Sequence, residues 1–429
     1  MTDSKAIRVL YILDRYPVRS ERFIVRDIDA LIKAGVDLRL VALNPLPKRE
    51  WHQEAIDCGA DVLRVPGRFH PINNWKRLIR WLRTGRQKIA ADAPPAIRFP
   101  FRERLHLRRD AWLCGIAESM NADIIHASFA TIPATLAARV SELTGIPFTV
   151  SVHARDVFID SPRLNEKLNA ASAIFACNSA VANAARERVC SFLDSRFRGN
   201  DRDANAARER VQSQEKVIDI RHPVPEAFFK RDLSVQRATG SVRFSFVGRL
   251  VEKKGLRLAL SAFSDAVSRG SDIFLDIIGD GPDAGLVNTL PDSVRRRVCL
   301  KGWLDGQDYL DALTGSDSLL APSINTASGD RDGIPNAVVE ALAAGVIVIA
   351  TSGGSIKDVI KDGETGVSIG ATDETGMIRG LAGAMIAFDP ADVRWETLRR
   401  TARDRVKREF HPDVVSARMT EIWRTAVSK

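Results

Sequence analysis

Two successive rounds of β-branched runs alternating with helical stretches dominate this sequence. The first round reads IRVLYIL (7–13), SERFIVRDIDALIKAG (20–35), VDLRLVAL (36–43), ADIIHA (122–127), TIPATLAARVSELTG (131–145), PFTVSVH (147–153) and SAIFACN (172–178). Strand, helix, strand in this order predicts a parallel sheet covered on both faces. Gly35 and Gly145 stand where helix C-caps belong, each ahead of a new strand. The pattern restarts after Gly240 with SVRFSFVG (241–248), LRLALSAFSDAVSRG (256–270), DIFLDIIG (272–279), RRVCLKG (296–302), DSLLAPS (317–323) and GVIVIAT (345–351). Prolines, charges and lost periodicity in HPVPEAFFKRDLSVQRATG (222–240) mark the joint between the rounds. The predicted fold class is therefore α/β, with doubly wound units over 1–230 and 231–410 and a helix over 411–429. A ligand of two such units belongs in the crevice at the carboxyl ends of their strands.

Composition fits this reading. A chain of 429 residues with 45% hydrophobic and 27% charged residues is long enough for two soluble cores. No apolar run approaches the ~20 residues of a membrane span, and the opening MTDSKAIRVLYILDRY lacks the parts of a signal peptide. A cytoplasmic location is expected. Five widely spaced cysteines without C-x-x-C point to buried thiols rather than to disulfides or zinc. The formal charge of +9 favours an anionic partner. Residues 68–109 hold twelve Lys or Arg against Asp92 and Glu103, with Trp75 and Trp81 among them. That tract predicts a basic amphipathic helix, suited either to a peripheral contact with an anionic membrane surface or to a solvated face. ANAARERV occurs at 182–189 and again at 204–211, which reads as a local duplication around a polar insertion near 190–211.

Three stretches carry chemistry. In VGRLVEKKG (247–255), Gly248 ends a strand and allows close backbone approach, while Arg249 and Lys254 offer cations to a diphosphate; taken alone, both also read as solvated basic residues. IIGDGPDAG (277–285) matches the dinucleotide pattern G-x-G-x-x-A, with Asp305 some distance on, although a tight turn explains Gly279 and Gly281 as well. In RDGIPNAVVEALAAG (331–345), Pro335 suits the first helical position and leaves the amides of Asn336 and Ala337 facing an anion. Asp332 and Glu340 flank that point, and carboxylates repel phosphate. Their targets should be sugar hydroxyls on either side of a diphosphate, so the implied ligand is a sugar nucleotide.

In order and spacing, VGRLVEKKG, IIGDGP, LAPS, DGIPNAVVEALAAGVIVIAT, GG (353–354) and DVIKDGETGVSI (358–369) resemble the retaining nucleotide-sugar glycosyltransferases of family four, the glycosyl transferases group 1. In the first half, YPVRSERFIVRDIDALIKAG, IIHASFATIPATLAARVSELTGIPFTVSVHARDVF and RHPVPEAFF resemble the branch that works on bacterial exopolysaccharides and lipopolysaccharides. The resemblance implies the GT-B fold, two Rossmann-like domains facing each other across a cleft, with the 411–429 helix returning to the first domain on Trp423 and Ile422. It assigns Arg249 and Lys254 to the donor diphosphate and Glu340 to the ribose. Asp332, where the family usually has Glu, falls to the transferred sugar, and Gly333, Ile334 and Asn336 are assigned to donor binding. His153 in SVHARD, which alone reads as a core histidine, falls beside that sugar. The acceptor side is assigned Ser20, Glu21 and His126. There the chain departs from the family, with DRYPVRSERF in place of a Gly-Gly loop and HASF in place of His-x-His-Phe. Ser20 also fits a helix N-cap.

The implied reaction moves a hexosyl group from a nucleoside-diphosphate sugar to a hydroxyl of a glycan or lipid-linked acceptor, with retention, and with neither metal nor cofactor. Nucleic acid is not an expected partner. The alternatives are a sugar-nucleotide epimerase of the same fold, a dehydrogenase reading of G-x-G-x-x-A, a metal-binding D-x-D at 330–332, and a basic membrane or nucleic-acid binder without catalysis.

Overall fold

A computed structural model describes residues 6–66, 107–159, 163–196, 214–233, 241–327 and 332–428. The basic tract up to residue 106, the insertion from residue 197 and Asp330 of the D-x-D lie outside the described residues.

The first sheet holds β1 (Arg8–Tyr16), β2 (Asp37–Pro45), β3 (Val62–Arg64), β4 (Ile124–Ala127), β5 (Phe148–Val152), β6 (Ala173–Ala176) and β7 (Val217–Asp219). All pair in parallel, in the order β3-β2-β1-β4-β5-β6-β7. The second holds β8 (Val242–Val247), β9 (Ile273–Ile278), β10 (Val298–Gly302), β11 (Ser318–Ala321), β12 (Ile347–Thr351) and β13 (Val367–Ile369), in the order β10-β9-β8-β11-β12-β13 and again parallel. Val9, Leu10, Tyr11, Ile12 and Leu13 are all buried, so β1 is apolar on both faces as a covered parallel strand must be. Each sheet starts at an inner strand, winds outward, then crosses back to the other side. The reversal falls between β1 and β4 and between β8 and β11, which opens a crevice at the carboxyl ends of those strands.

Two helices close the chain. Arg394–Phe410 packs on the second unit through Trp395, Leu398, Val406 and Phe410. Pro412–Ser428 then lies on the first unit, where Val415, Met419 and Trp423 join Val9, Tyr11, Ile24 and Ile28. The Trp423 indole N–H donates to Thr149 Oγ1 at 3.0 Å, and Ile422 is only partly buried. Of the cysteines, Cys114 alone is fully buried and Cys299 is exposed, so the expectation of five buried thiols is corrected; all five are free. No described helix is long and apolar enough to cross a membrane.

Trp423 is the largest fully buried side chain, and its indole fastens the last helix to the first sheet. Trp423→Ala should cost about 3–5 kcal/mol of stability, read as a lowered midpoint in denaturant unfolding of the full chain.

Candidate functional site

A cleft of about 260 Å³ lies between the two units. The first unit contributes Ser20, Arg22 and Phe23, from the turn after β1 and the helix α1 (Arg22–Lys33) that follows it. The second contributes Gly248, Arg249 and Lys254 after β8, Trp303 after β10, and the 332–337 segment with Glu340. The three predicted chemical stretches therefore meet at the two strand reversals.

Gly248 leaves β8 at φ +149, and Lys254 folds back over it, so that a Cβ there would stand 3.4 Å from Lys254 Cε. Gly279 has a stricter reason to be glycine: an added Cβ would lie 1.9 Å from the Gly248 carbonyl oxygen. The G-x-G pattern thus seats one strand-end loop against another. It opens a 3-10 turn, Pro282–Thr289, and Asp305 accepts from Gly306 N at 2.9 Å and from Arg22 at 2.7 Å. The dehydrogenase reading is corrected accordingly.

Lys254 Nζ sits 2.8 Å from Asp332 Oδ2, which also accepts from Ser323 Oγ at 3.1 Å; Lys253 Nζ is 3.9 Å from Oδ1. The cation assigned to phosphate and the acid assigned to sugar are paired with each other. Arg249 is exposed on the same loop. Pro335 proves to be the residue before the first helical turn rather than its first member, and Asn336 opens the helix Asn336–Ala344. Among the described residues no acceptor is assigned to the Asn336 and Ala337 amides, which line the cleft with Gly333 and Ile334.

Glu340 is buried, with both oxygens engaged. Arg26 Nη1 lies 2.5 Å from Oε1, and the Tyr309 hydroxyl donates to Oε2. Arg26 also reaches Glu54 on α2 (Gln53–Cys58), with Nε 2.9 Å from Oε2 and Nη2 2.8 Å from Oε1. Burial opposes the Arg26 charge, but Glu54 and Glu340 more than offset it and raise its pKa. Arg22, one turn earlier, pairs with Asp305 and stands 4.8 Å over the Trp303 ring. In this arrangement each Glu340 oxygen that lines the cleft already has one partner, a condition the sequence did not reveal.

His153 ends β5 and faces a second hollow of about 190 Å³ that shares Phe23, Asp332, Gly333, Ile334 and Asn336 with the cleft. It lies between the rings of Phe23 and Phe129, at 5.0 Å and 4.7 Å, and its Nε2 is 3.2 Å from His222 Nε2. Ser20 lines the cleft inside a 3-10 turn, Arg19–Glu21, and does not cap α1. Glu21 is the residue before α1, half-buried, and burial raises its pKa. His126 is corrected outright. It is fully buried, held by Thr149 Oγ1 at 2.8 Å and Ser151 Oγ at 3.0 Å, and enclosed by the Tyr11, Phe175 and Trp423 rings, so it cannot meet an acceptor.

Sequence reasoning missed Arg22, Arg26, Asp27, Tyr309 and His222. The one available signal was polar residues set on the apolar stripe of α1, where Arg22 and Arg26 stand one turn apart among Ile24, Ile28 and Leu31. His222 was passed over as part of a linker.

Residues 241–385 match the family described as Glycosyl transferases group 1. AmsK of Erwinia amylovora, named an amylovoran biosynthesis glycosyltransferase, is 30% identical over 183 residues, which are 42% of this chain and 44% of that one. The chain thus spans less than half the length of this relative. The 2-deoxystreptamine glucosyltransferase of Streptomyces kanamyceticus is 26% identical over 300 residues, 66% of this chain and 70% of that one. The crystal structure of Anabaena Alr3699/HepE with UDP and glucose superposes at a TM-score of 0.64 with 15% identity, over 98% of this chain and 100% of that one. The fold is GT-B.

Burial pushes His126 down to about 3, with His153 adding a smaller repulsion. Its unfolded value is near 6.5, so the unfolded chain binds a proton that the folded one refuses between those two values. Stability from this residue is complete above pH 6.5 and is lost as pH falls toward 3. Between pH 7 and 4 the loss should be about 3 kcal/mol, and His126→Gln should lose correspondingly less in denaturant unfolding across the same window.

Proposed function

With residues 241–385 a Glycosyl transferases group 1 domain in a GT-B fold, we propose that this chain is a retaining glycosyltransferase. It moves a hexosyl group from a nucleoside-diphosphate sugar to a hydroxyl of a glycan or lipid-linked acceptor, in the synthesis of bacterial surface polysaccharide or glycolipid, on the cytoplasmic side. The observation that carries this reading is the convergence of Gly248, Arg249 and Lys254 with the open amides of Asn336 and Ala337 on one cleft between the sheets.

That convergence supplies what departure of a diphosphate needs. Negative charge builds on the leaving group, and two cations and a helix N-terminus fixed in advance stabilise it without reorganisation. Protein cations take the place of a metal ion in this reading, so transfer proceeds in excess chelator. Gly248 lets the phosphates approach the backbone beneath Lys254. Asp332, released from Lys254 as phosphate takes that cation, accepts hydrogen bonds from the transferred sugar. His153 lies on the far side of that sugar. The acceptor hydroxyl attacks from the face the diphosphate leaves, and the leaving phosphate takes its proton, so no carboxylate nucleophile is required.

A thermal-shift panel of UDP-, GDP- and ADP-sugars should single out one nucleotide, and product analysis with and without acceptor then separates transfer from epimerisation. Lys254→Ala should lower kcat/KM at least ~30-fold, about 2 kcal/mol, which is the size of one charge-assisted contact to the leaving group. Full activity in both Lys254→Ala and Arg249→Ala would refute the assigned roles.

A further inference from the structure

His222 belongs to none of the roles above, yet it is the best-held histidine beside the cleft. Its Nδ1 is 2.9 Å from Asp27 Oδ2, its Nε2 is 3.2 Å from His153 Nε2, and the two ring planes are 6° apart. Asp27 is buried on α1, and the Phe23 ring covers His222 at 4.4 Å. Three side chains from three parts of the chain therefore form one line ending at the residue that faces the sugar.

Counting protons along that line leaves one arrangement. The Asp27 carboxylate accepts, so His222 Nδ1 carries a hydrogen. A single hydrogen lies between the two Nε2 atoms. His153 Nδ1 is buried, has no hydrogen-bond partner among the described residues and stands 3.7 Å from Asp156 Oδ2. A bare lone pair there would face that carboxylate and turn to the Asp156 backbone N–H, which already donates to the His153 carbonyl at 3.0 Å, whereas an N–H faces the carboxylate favourably. His153 then has its hydrogen on Nδ1, and the shared one belongs to His222. We propose that Asp27 and His222 form a fixed ion pair that holds His153 neutral, with its proton on Nδ1, which makes His222 a positioning residue of the site.

The charges around the pair agree. Burial lowers His222, but Asp27 more than offsets it, with help from Cys177, and lifts it to about 10; burial lowers His153 and outweighs the opposing pull of Asp156, and His222 adds a smaller repulsion. Arg155 beside Asp156, Lys253 after β8 and Asp332 before the Asn336–Ala344 helix also line the hollow. Two of these three are cations, which further disfavours a second imidazolium. The consequence rests on the glycosyltransferase reading: the anomeric carbon becomes positive as the diphosphate leaves, and a charged His153 would oppose that charge. An imidazolium held one residue further away keeps His153 uncharged across the working pH range.

The test has two arms on the full chain. Long-range ¹H–¹⁵N spectra of the histidine rings at pH 7.5, assigned with His222→Gln and His153→Gln, should show His222 as imidazolium and His153 as the neutral Nδ1–H tautomer. In kinetics, wild-type kcat/KM should have no acid limb near pH 6.5. Asp27→Asn removes the charge that keeps His222 protonated, and His222→Gln keeps a donor to His153 without the charge. In each, His153 should take up its proton at a higher pH than in the wild type, and kcat/KM should fall severalfold more between pH 7.5 and 5.5 than the wild type does. A neutral His222 or a charged His153 in the wild-type spectra overturns the proposal, as do unchanged profiles in both variants. So does a stoichiometric zinc or copper ion on His153, Cys177 and His222 in the purified chain, whose ligand atoms lie within 4.8 Å of one another, because a metal would take both Nε2 lone pairs. If no donor is turned over, the glycosyltransferase reading falls, while the spectra still decide the protonation states.

Discussion

Arg26 is buried on α1 between Glu54 of its own unit and Glu340 of the other, and the geometry of the whole cleft follows from where that guanidinium sits. Removing Arg26 would leave the buried Glu340 carboxylate without a counter-charge in a medium of low dielectric. The planar fork satisfies two carboxylates at once, which a lysine could not do. Arg22 repeats the pattern one turn away with Asp305 and the Trp303 ring. The first turns of α1 are thus one contact between the two units, alongside Ser179 and Arg221 on Asp358. The same helix, through Asp27, also sets His222.

The acids of the cleft are paired with the cleft's own donors. Lys254 holds Asp332, and Arg26 with Tyr309 holds Glu340, so the groups suited to phosphate and to hydroxyls quench one another. A diphosphate entering between Lys254 and Asp332 exchanges one ion pair for another instead of filling a bare cationic pocket. Since a buried pair gains little over its desolvation cost, such an exchange is close to balanced. On the proposed function, affinity for a donor then rests on contacts with no partner assigned beforehand among the described residues, above all the Asn336 and Ala337 amides.

Much of the fold was legible because covered parallel strands leave apolar runs that need no context. Every run of four or more residues in the two sheets was visible, from IRVLYIL to GVIVIAT, to within three residues at each end. The strands that escaped are β3, β7 and β13, three residues each, at or near the sheet edges, where burial on one side leaves no run to see. The second unit's side of the cleft was legible because glycine, proline and acid spacings act through local backbone geometry. What could not be read was pairing at long range. Arg26 meets a residue more than 300 positions away, and no local pattern distinguishes it from a solvated helix arginine.

His126 and His153 show the same limit from the other side. Both lie near the carboxyl ends of neighbouring strands, β4 and β5, and each has a serine two positions away in sequence. They differ in depth. His126 lies inside its strand, beneath the returning helix, where Trp423 and Thr149 close over it. His153 lies one residue past its strand, at the edge where the opposite unit approaches. A sequence read without its last helix cannot tell the two apart, because the residues that bury His126 come from the far end of the chain. In this fold the carboxyl edge becomes a site only where the second unit faces it, and the closing helix decides which strand ends remain there.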